Sequence, residues 1–118
     1  MSERYSWRLT EIGQPLVRTP GAGTTPGRDE ATIEVAGCGV CHTDLGFFDG
    51  SVATIRPLPL VLGHEVSGTV VEAGVDAASW IGRRVLVPAV IPCGTCDLCR
   101  AGRGNACTRQ VMPGNAID

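Results

Sequence analysis

The sequence predicts a mainly β fold: a partly open barrel or sandwich with short helices and one excursion built on a metal. Three observations carry that expectation. Sixteen glycines and eight prolines make up about a fifth of the 118 residues, which favours short strands joined by turns over long helices. The two longest β-rich runs, Glu65 to Ala73 and Arg84 to Val90, are separated by Gly74 and Gly82 and read as strands. Cys93, Cys96, Cys99 and Cys107 lie within fifteen residues at C-x2-C-x2-C-x7-C spacing, interleaved with Gly94, Gly102 and Gly104. Four thiols that close along the chain reach one ion only where the backbone bends sharply, and glycine permits the bends.

Taken in order, Ser6 to Thr10 and Leu16 to Arg18 are expected as short strands around a Gly-Gln-Pro turn at 13–15. Thr19 to Arg28 is a loop. Its Gly21-Ala22-Gly23 opens like a dinucleotide fingerprint, but Pro26 replaces the last glycine, and neither the preceding strand nor the following helix is there. Glu30 to Cys38 alternates Ala31, Ile33 and Val35 with Thr32 and Glu34, the period-2 pattern of a half-buried strand. His42 to Phe48 is the best short helix, ended by Asp49-Gly50, and Pro57 and Pro59 interrupt the next stretch. From Ile91 onward the chain reads as metal lobe and irregular structure, reaching Asp118 with no terminal element.

Composition bounds the function. A chain of 118 residues is one domain at most, and 43% hydrophobic residues suffice for a core. The net charge is −2 and the ten basic residues are all arginine, scattered along the chain, so no nucleic-acid footprint is expected. No apolar run of signal-peptide length occupies Met1 to Gln14 and no 18-residue apolar span occurs, which argues against a membrane helix. Six cysteines without an export signal point to a reducing compartment, where thiols serve metals, and a cytoplasmic location is expected.

Four thiolates at this spacing suit a closed, tetrahedral, structural zinc site. An iron–sulfur cluster would suit the first three cysteines, but the ferredoxin run needs a different spacing and a proline after the fourth, where Thr108 stands. Disulfides suit small secreted chains. A second constellation joins Gly37-Cys38-Gly39-Val40-Cys41-His42-Thr43-Asp44 to Gly63-His64-Glu65. Cys41 and His64 are a thiolate and an imidazole, the ligand pair of a zinc not fully bound by sulfur. Asp44 could orient a ligand imidazole through its free N–H, and the Thr43 hydroxyl could pass a proton. Taken singly, such a cysteine is more often a buried hydrophobe and such a histidine a core residue. Cys38-x2-Cys41 could also be a redox pair, although no thioredoxin-like pattern surrounds it.

Together, G-C-G-V-C-H-T-D, then G-H-E followed by Val66-Ser67-Gly68, then the four-cysteine run resemble the zinc-dependent medium-chain alcohol dehydrogenase family. The resemblance is to its N-terminal catalytic, GroES-like domain and extends from about Trp7 to the end. It implies that Cys41 and His64 are ligands of a catalytic zinc, with Glu65 a carboxylate able to approach that metal and Asp44 the partner of His64. Thr43 would take the substrate's proton, His42 would face the cofactor pyrophosphate, and Cys93, Cys96, Cys99 and Cys107 would hold structural zinc. Cys38 matches no ligand and is read as packing. The implied reaction is hydride transfer from an alcohol, polarised by zinc, to NAD or NADP.

The same resemblance places the third catalytic ligand, the strands completing the barrel and the Rossmann domain beyond residue 118. Residues 1–118 are therefore expected to be a partial GroES-like domain, with a structural-zinc lobe at 91–110, inactive alone and homo-oligomeric within a full-length enzyme. Where some members finish the proton relay with histidine, the matching place near Gly46 offers nothing ionisable. The runs Val87 to Pro92 and Gln110 to Asn115 are similar to dehydrogenases of 6-hydroxycyclohex-1-ene-1-carbonyl-CoA. That likeness implies a secondary or alicyclic alcohol, an acyl-CoA among the candidates, in a pocket bordered by Ala89, Met112 and Phe47 or Phe48. The competing class is a zinc-stabilised scaffold or binding module in which only the cysteine lobe holds metal.

Overall fold

The computed structural model describes residues 3–118. Its strands form two three-stranded antiparallel sheets, ordered β2-β1-β4 and β3-β5-β6. The strands are β1 (Tyr5–Leu9), β2 (Val17–Pro20), β3 (Ala31–Gly39), β4 (Leu60–Val61), β5 (Glu65–Ala73) and β6 (Arg84–Val87), and the helices are α1 (His42–Asp49) and the single turn α2 (Asp97–Arg100). The sheets are open, the helices short and the class mainly β, as the sequence predicts.

In the first sheet β1 pairs with β2 across the seven-residue connection 10–16 and with β4 on its other edge, where Leu9 lies opposite Leu60. Both leucines are fully buried and, with Phe47 and Val70, form the apolar core. The second sheet is built on the nine-residue strands β3 and β5. Their register runs from Ala31 opposite Ala73 to Gly39 opposite Glu65, with shifts at Thr32/Ile33 and Val35/Gly37. Those shifts are bulges, and each turns the following side chains relative to the pleat. The expected alternation of Ala31, Ile33 and Val35 therefore does not give a half-buried face. Ile33 is half-buried, whereas Ala31 and Val35 are exposed, since no described element covers that side.

Three features depart from the sequence expectation. A 3-10 turn spans Val75–Trp80 between β5 and β6, fixed by the Arg28 guanidinium on both Asp76 carboxylate oxygens at 3.1 and 3.2 Å. The last strand stops at Val87, three residues before the β-branched run ends. Cys38, read as packing, is exposed.

The ends of α1 follow local chemistry. The Cys41 N–H donates to the Asp44 carboxylate at 3.0 Å, satisfying an amide that precedes the helix. Gly50 closes the helix at φ 81°, the left-handed conformation that glycine adopts without steric cost. The C-terminal segment is drawn onto the first sheet by Asp118. Its carboxylate meets Arg8 at 3.4 Å and Arg56 at 3.2 Å and accepts the Val61 N–H at 3.0 Å.

Leu9→Ala removes half of the Leu9–Leu60 cross-strand contact. It is expected to lower the unfolding free energy of the zinc-saturated protein by about 2–5 kcal/mol, measured by denaturant titration. A loss under about 1 kcal/mol would mean that this pair is not the centre of the core.

Candidate functional site

Antiparallel pairing of β3 with β5 dictates where the second constellation meets. The residues just after β3 and just before β5 lie at the same end of the pair, beyond Gly39 opposite Glu65. Cys41 follows by two residues and His64 precedes by one, so segments 23 residues apart converge. The His64 Nε2 lies 3.0 Å from the Cys41 Sγ, and its Nδ1 lies 3.5 Å from the Asp44 Oδ1. Asp44 and His64 are 5% and 6% exposed. The Nδ1 and Oδ1 atoms face each other without a formed hydrogen bond, the two buried polar side-chain atoms left unpartnered among the described residues.

That arrangement has a direction. One ring nitrogen is aimed at a thiol and the other at a carboxylate, and a metal-ligating histidine is typically held in this way. Sulfur and nitrogen bound to one tetrahedral zinc stand about 3.6 Å apart, so the pair would have to open by roughly half an ångström. The donor set fits a zinc that takes its remaining ligands from elsewhere. Thr43 is half-buried on the first turn of α1, one residue before Asp44, and His42 is exposed at the start of that helix. Glu65 is exposed and is not brought into the cluster: its carboxylate lies over Gly39 across the β3–β5 pair.

The backbone behind His64 is unusually close-set. Gly63 has φ 117°, and the Cα face of Gly114 rests directly on the Gly63 backbone. Gly114 itself has φ 78°, and its amide donates to the Ile117 carbonyl at 2.8 Å. This contact, with the exposed Cys38 sulfur packed on the other side of Gly63, is not foreseeable from either segment alone.

The second cluster is the four-cysteine lobe. Its sulfurs lie within 4.8 Å of one another, with Cys93–Cys99 and Cys96–Cys107 at 3.9 Å. Tetrahedral zinc with Zn–S bonds of about 2.3 Å requires sulfurs about 3.8 Å apart, so the cage already has the size of a zinc site. Amides converge on the sulfurs. Cys93 accepts from Thr95 and Cys96 at 3.5 and 3.4 Å, and Cys96 accepts from Cys99 at 3.4 Å. Cys107 accepts from Cys93 and Arg109, both at 3.4 Å. The Thr95 amide, with its hydroxyl and the Cys96 amide, holds the Cys93 thiol down at about 5. The Cys99 amide likewise lowers Cys96, while partial burial pushes Cys99 up to about 11. The lobe is shut by α2, by a 3-10 turn at Gly104–Ala106, and by the bridge of Ile91 to Val111 at 2.8 and 3.0 Å. Thr95 and Arg109, whose guanidinium reaches the Thr95 hydroxyl at 3.4 Å, are the residues that cysteine spacing alone does not disclose.

Of the pocket residues expected from the sequence, Ala89 is exposed, Met112 and Phe48 are half-buried, and Phe47 belongs to the core.

Comparison with known proteins gives a consistent picture. The family described as alcohol dehydrogenase GroES-like domain matches residues 27–116. Geraniol dehydrogenase of Castellaniella defragrans is 40% identical over 91% of this chain and 28% of its own length. D-arabinose 1-dehydrogenase (NADP(+)) of Saccharolobus solfataricus is 42% identical over 93% of this chain and 32% of its own. The crystal structure of the alcohol dehydrogenase of Aeropyrum pernix superposes with a TM-score of 0.84 at 33% identity, covering 98% of this chain and 35% of that one. The chain thus spans about a third of the length of the relatives it matches.

Gly114→Ala would set a methyl group against the Gly63 backbone at a left-handed φ. A cost of about 1–3 kcal/mol is expected, together with weaker metal binding at Cys41 and His64 and an unaltered cysteine lobe. Cobalt titration distinguishes the two sites, and unchanged binding at both would show that this contact does not position His64.

Proposed function

The chain belongs to the alcohol dehydrogenase GroES-like domain family, and from that premise we propose that it forms the metal-binding catalytic part of a zinc-dependent, NAD(P)-linked alcohol dehydrogenase. The observation that carries the proposal is the split environment of His64, with Nε2 toward the Cys41 sulfur and Nδ1 toward a buried carboxylate. A scaffold has no need to bury an imidazole and a carboxylate behind a thiol. Zinc held by Cys41 and His64 would supply Lewis acidity that eases loss of an alcohol proton, and a nicotinamide cofactor would accept the hydride.

The chain's own residues do the rest. Asp44 accepts from the Cys41 amide with one oxygen and faces the His64 Nδ1 with the other, so a single carboxylate fixes both donors. Closing of that 3.5 Å gap on metal binding would let Asp44 hold the Nδ1 proton and leave Nε2 free as a donor of electrons. Thr43, half-buried beside them, hydrogen-bonds the substrate hydroxyl and passes its proton outward. His42, exposed at the start of α1, offers its imidazole to an anionic cofactor group. Glu65 enters only by a rotation away from Gly39. The four cysteines hold a second, structural zinc.

The relatives named for geraniol and for D-arabinose support an alcohol or sugar substrate class. The finer reading is a secondary or alicyclic alcohol of the 6-hydroxycyclohex-1-ene-1-carbonyl-CoA type. It is supported by the likeness of the runs Val87 to Pro92 and Gln110 to Asn115 to dehydrogenases of that substrate, and by the small side chain of Ala89 within the first.

Elemental analysis should find two zinc ions per chain, falling to one in His64→Ala. One ion in both proteins would reject the Cys41–His64 site. In alcohol oxidation assays of a full-length enzyme carrying this domain, Thr43→Val should slow turnover about a hundredfold or more while leaving zinc content unchanged. Turnover equal to wild type would remove Thr43 from the proton path.

A further inference from the structure

The four sulfurs of the cysteine lobe do not share hydrogen-bond donors evenly. Cys93 accepts from the amides of Thr95 and Cys96 and faces the Thr95 hydroxyl at 3.7 Å. Cys107 accepts from two amides and Cys96 from one. Among the described residues only the Gly94 amide leans toward the Cys99 sulfur, and it does not complete a hydrogen bond of the kind the other three receive. In a four-thiolate zinc site every sulfur is deprotonated, so the fraction ionised no longer separates them. Their order of reactivity then follows electron density, which each N–H donor draws away, and nucleophilicity falls as basicity falls. Cys93, Cys96 and Cys99 are all partly exposed and Cys107 is buried, so a small electrophile can reach three of the four sulfurs.

We propose that Cys99 is the thiolate of this lobe at which soft electrophiles and hydroperoxides react first, and that reaction there opens the lobe and releases its zinc. Toward a hydroperoxide, the Cys99 sulfur attacks the terminal oxygen. An S–O bond forms, the O–O bond breaks, and the alkoxide leaves and is protonated by water. The Cys93 sulfur, 3.9 Å away, then attacks the Cys99 sulfur, forming the S–S bond and expelling hydroxide, which solvent protonates to water. Two thiolates lose two electrons between them, and the hydroperoxide is reduced to an alcohol and water. The lobe is left with two thiolates and weakened affinity for zinc. The proposal requires zinc only in the lobe and is independent of the Cys41–His64 site.

The test uses zinc-loaded protein carrying Cys38→Ser, which removes the exposed thiol outside both clusters. N-ethylmaleimide is added below one equivalent, adducts are mapped by peptide mass spectrometry, and released zinc is followed with a chromogenic chelator. Among the four lobe cysteines, Cys99 is expected to carry the first adduct, with zinc appearing in step. A first adduct on Cys93, Cys96 or Cys107, or equal labelling of all four, overturns the proposal. Thr95→Val deletes the hydroxyl donor to Cys93 and keeps both amides, and should speed Cys93 labelling severalfold without changing Cys99. An unchanged Cys93 rate would show that donor number does not set the order. With a limiting hydroperoxide the expected disulfide is Cys93–Cys99, and a Cys96–Cys107 disulfide counts against the proposed path.

Discussion

The pairing of β3 with β5 is the constraint on which the rest depends. Eight register positions tie the two strands, and the pairing ends at Gly39 opposite Glu65. Because a slip of one residue would reverse every side chain between the two faces, that register fixes both the distance and the facing of Cys41 and His64. The bulge between Val35 and Gly37 absorbs one residue just before the site and re-aims the end of β3, as bulges near functional sites do. The helix after it is short, yet it starts at the right place because Asp44 caps the Cys41 amide. One carboxylate therefore acts on the backbone of one candidate ligand and on the imidazole of the other.

Around this pair, hydrogen bonds and close backbone contacts replace the bulk of apolar packing. The deeply buried apolar side chains are few, with Leu9 and Leu60 the largest that are wholly covered. The tail is held by the Asp118 carboxylate between Arg8 and Arg56 and by Asn115, which accepts the Ile55 and Arg56 amides at 2.8 and 2.9 Å. Partly exposed ion pairs contribute little individually. Here, however, Asp118 joins three segments, and Gly114, four residues earlier, rests on the backbone that carries His64. The order of the tail and the placement of the imidazole are one problem.

Much of this is legible in the residues. The span Glu65 to Ala73 appears as a strand with the bounds its β-branched content predicts, and Asp49-Gly50 ends α1 because glycine alone takes the left-handed cap without strain. The cysteine spacing announces a cluster whose sulfurs stand at zinc-site distances. Burial is less legible. Val35 and Leu86 sit on strands of the expected kind and are largely exposed, Leu86 at 82%, because burial depends on what covers a sheet and periodicity reports only which side chains share a face. Cys38 is exposed for the same reason, although its sulfur still lies against Gly63. Glu65 is suggested by adjacency to His64, but it opens β5 opposite Gly39, and its carboxylate lies over Gly39.

The lobe shows why four cysteines suffice where a core would not. Between Ile91 and Val111 the one deeply buried apolar side chain is Cys107 itself, so burial of apolar surface cannot hold this loop in shape. Its amides nonetheless point inward at sulfur, an arrangement that is favourable only if the sulfurs carry charge. Four thiolates 3.9 Å and more apart would repel one another, and a divalent cation at their centre converts that repulsion into the largest attraction in the segment. Structural zinc sites contribute about 10–16 kcal/mol of apparent binding free energy in small peptides, comparable to the whole stability of an ordinary domain. The same inward donors that make the cage favourable are spread unequally over its corners. The uneven reactivity of the thiolates is thus built into the way the loop folds, with its weak corner at Cys99 on α2, toward which only the Gly94 amide leans.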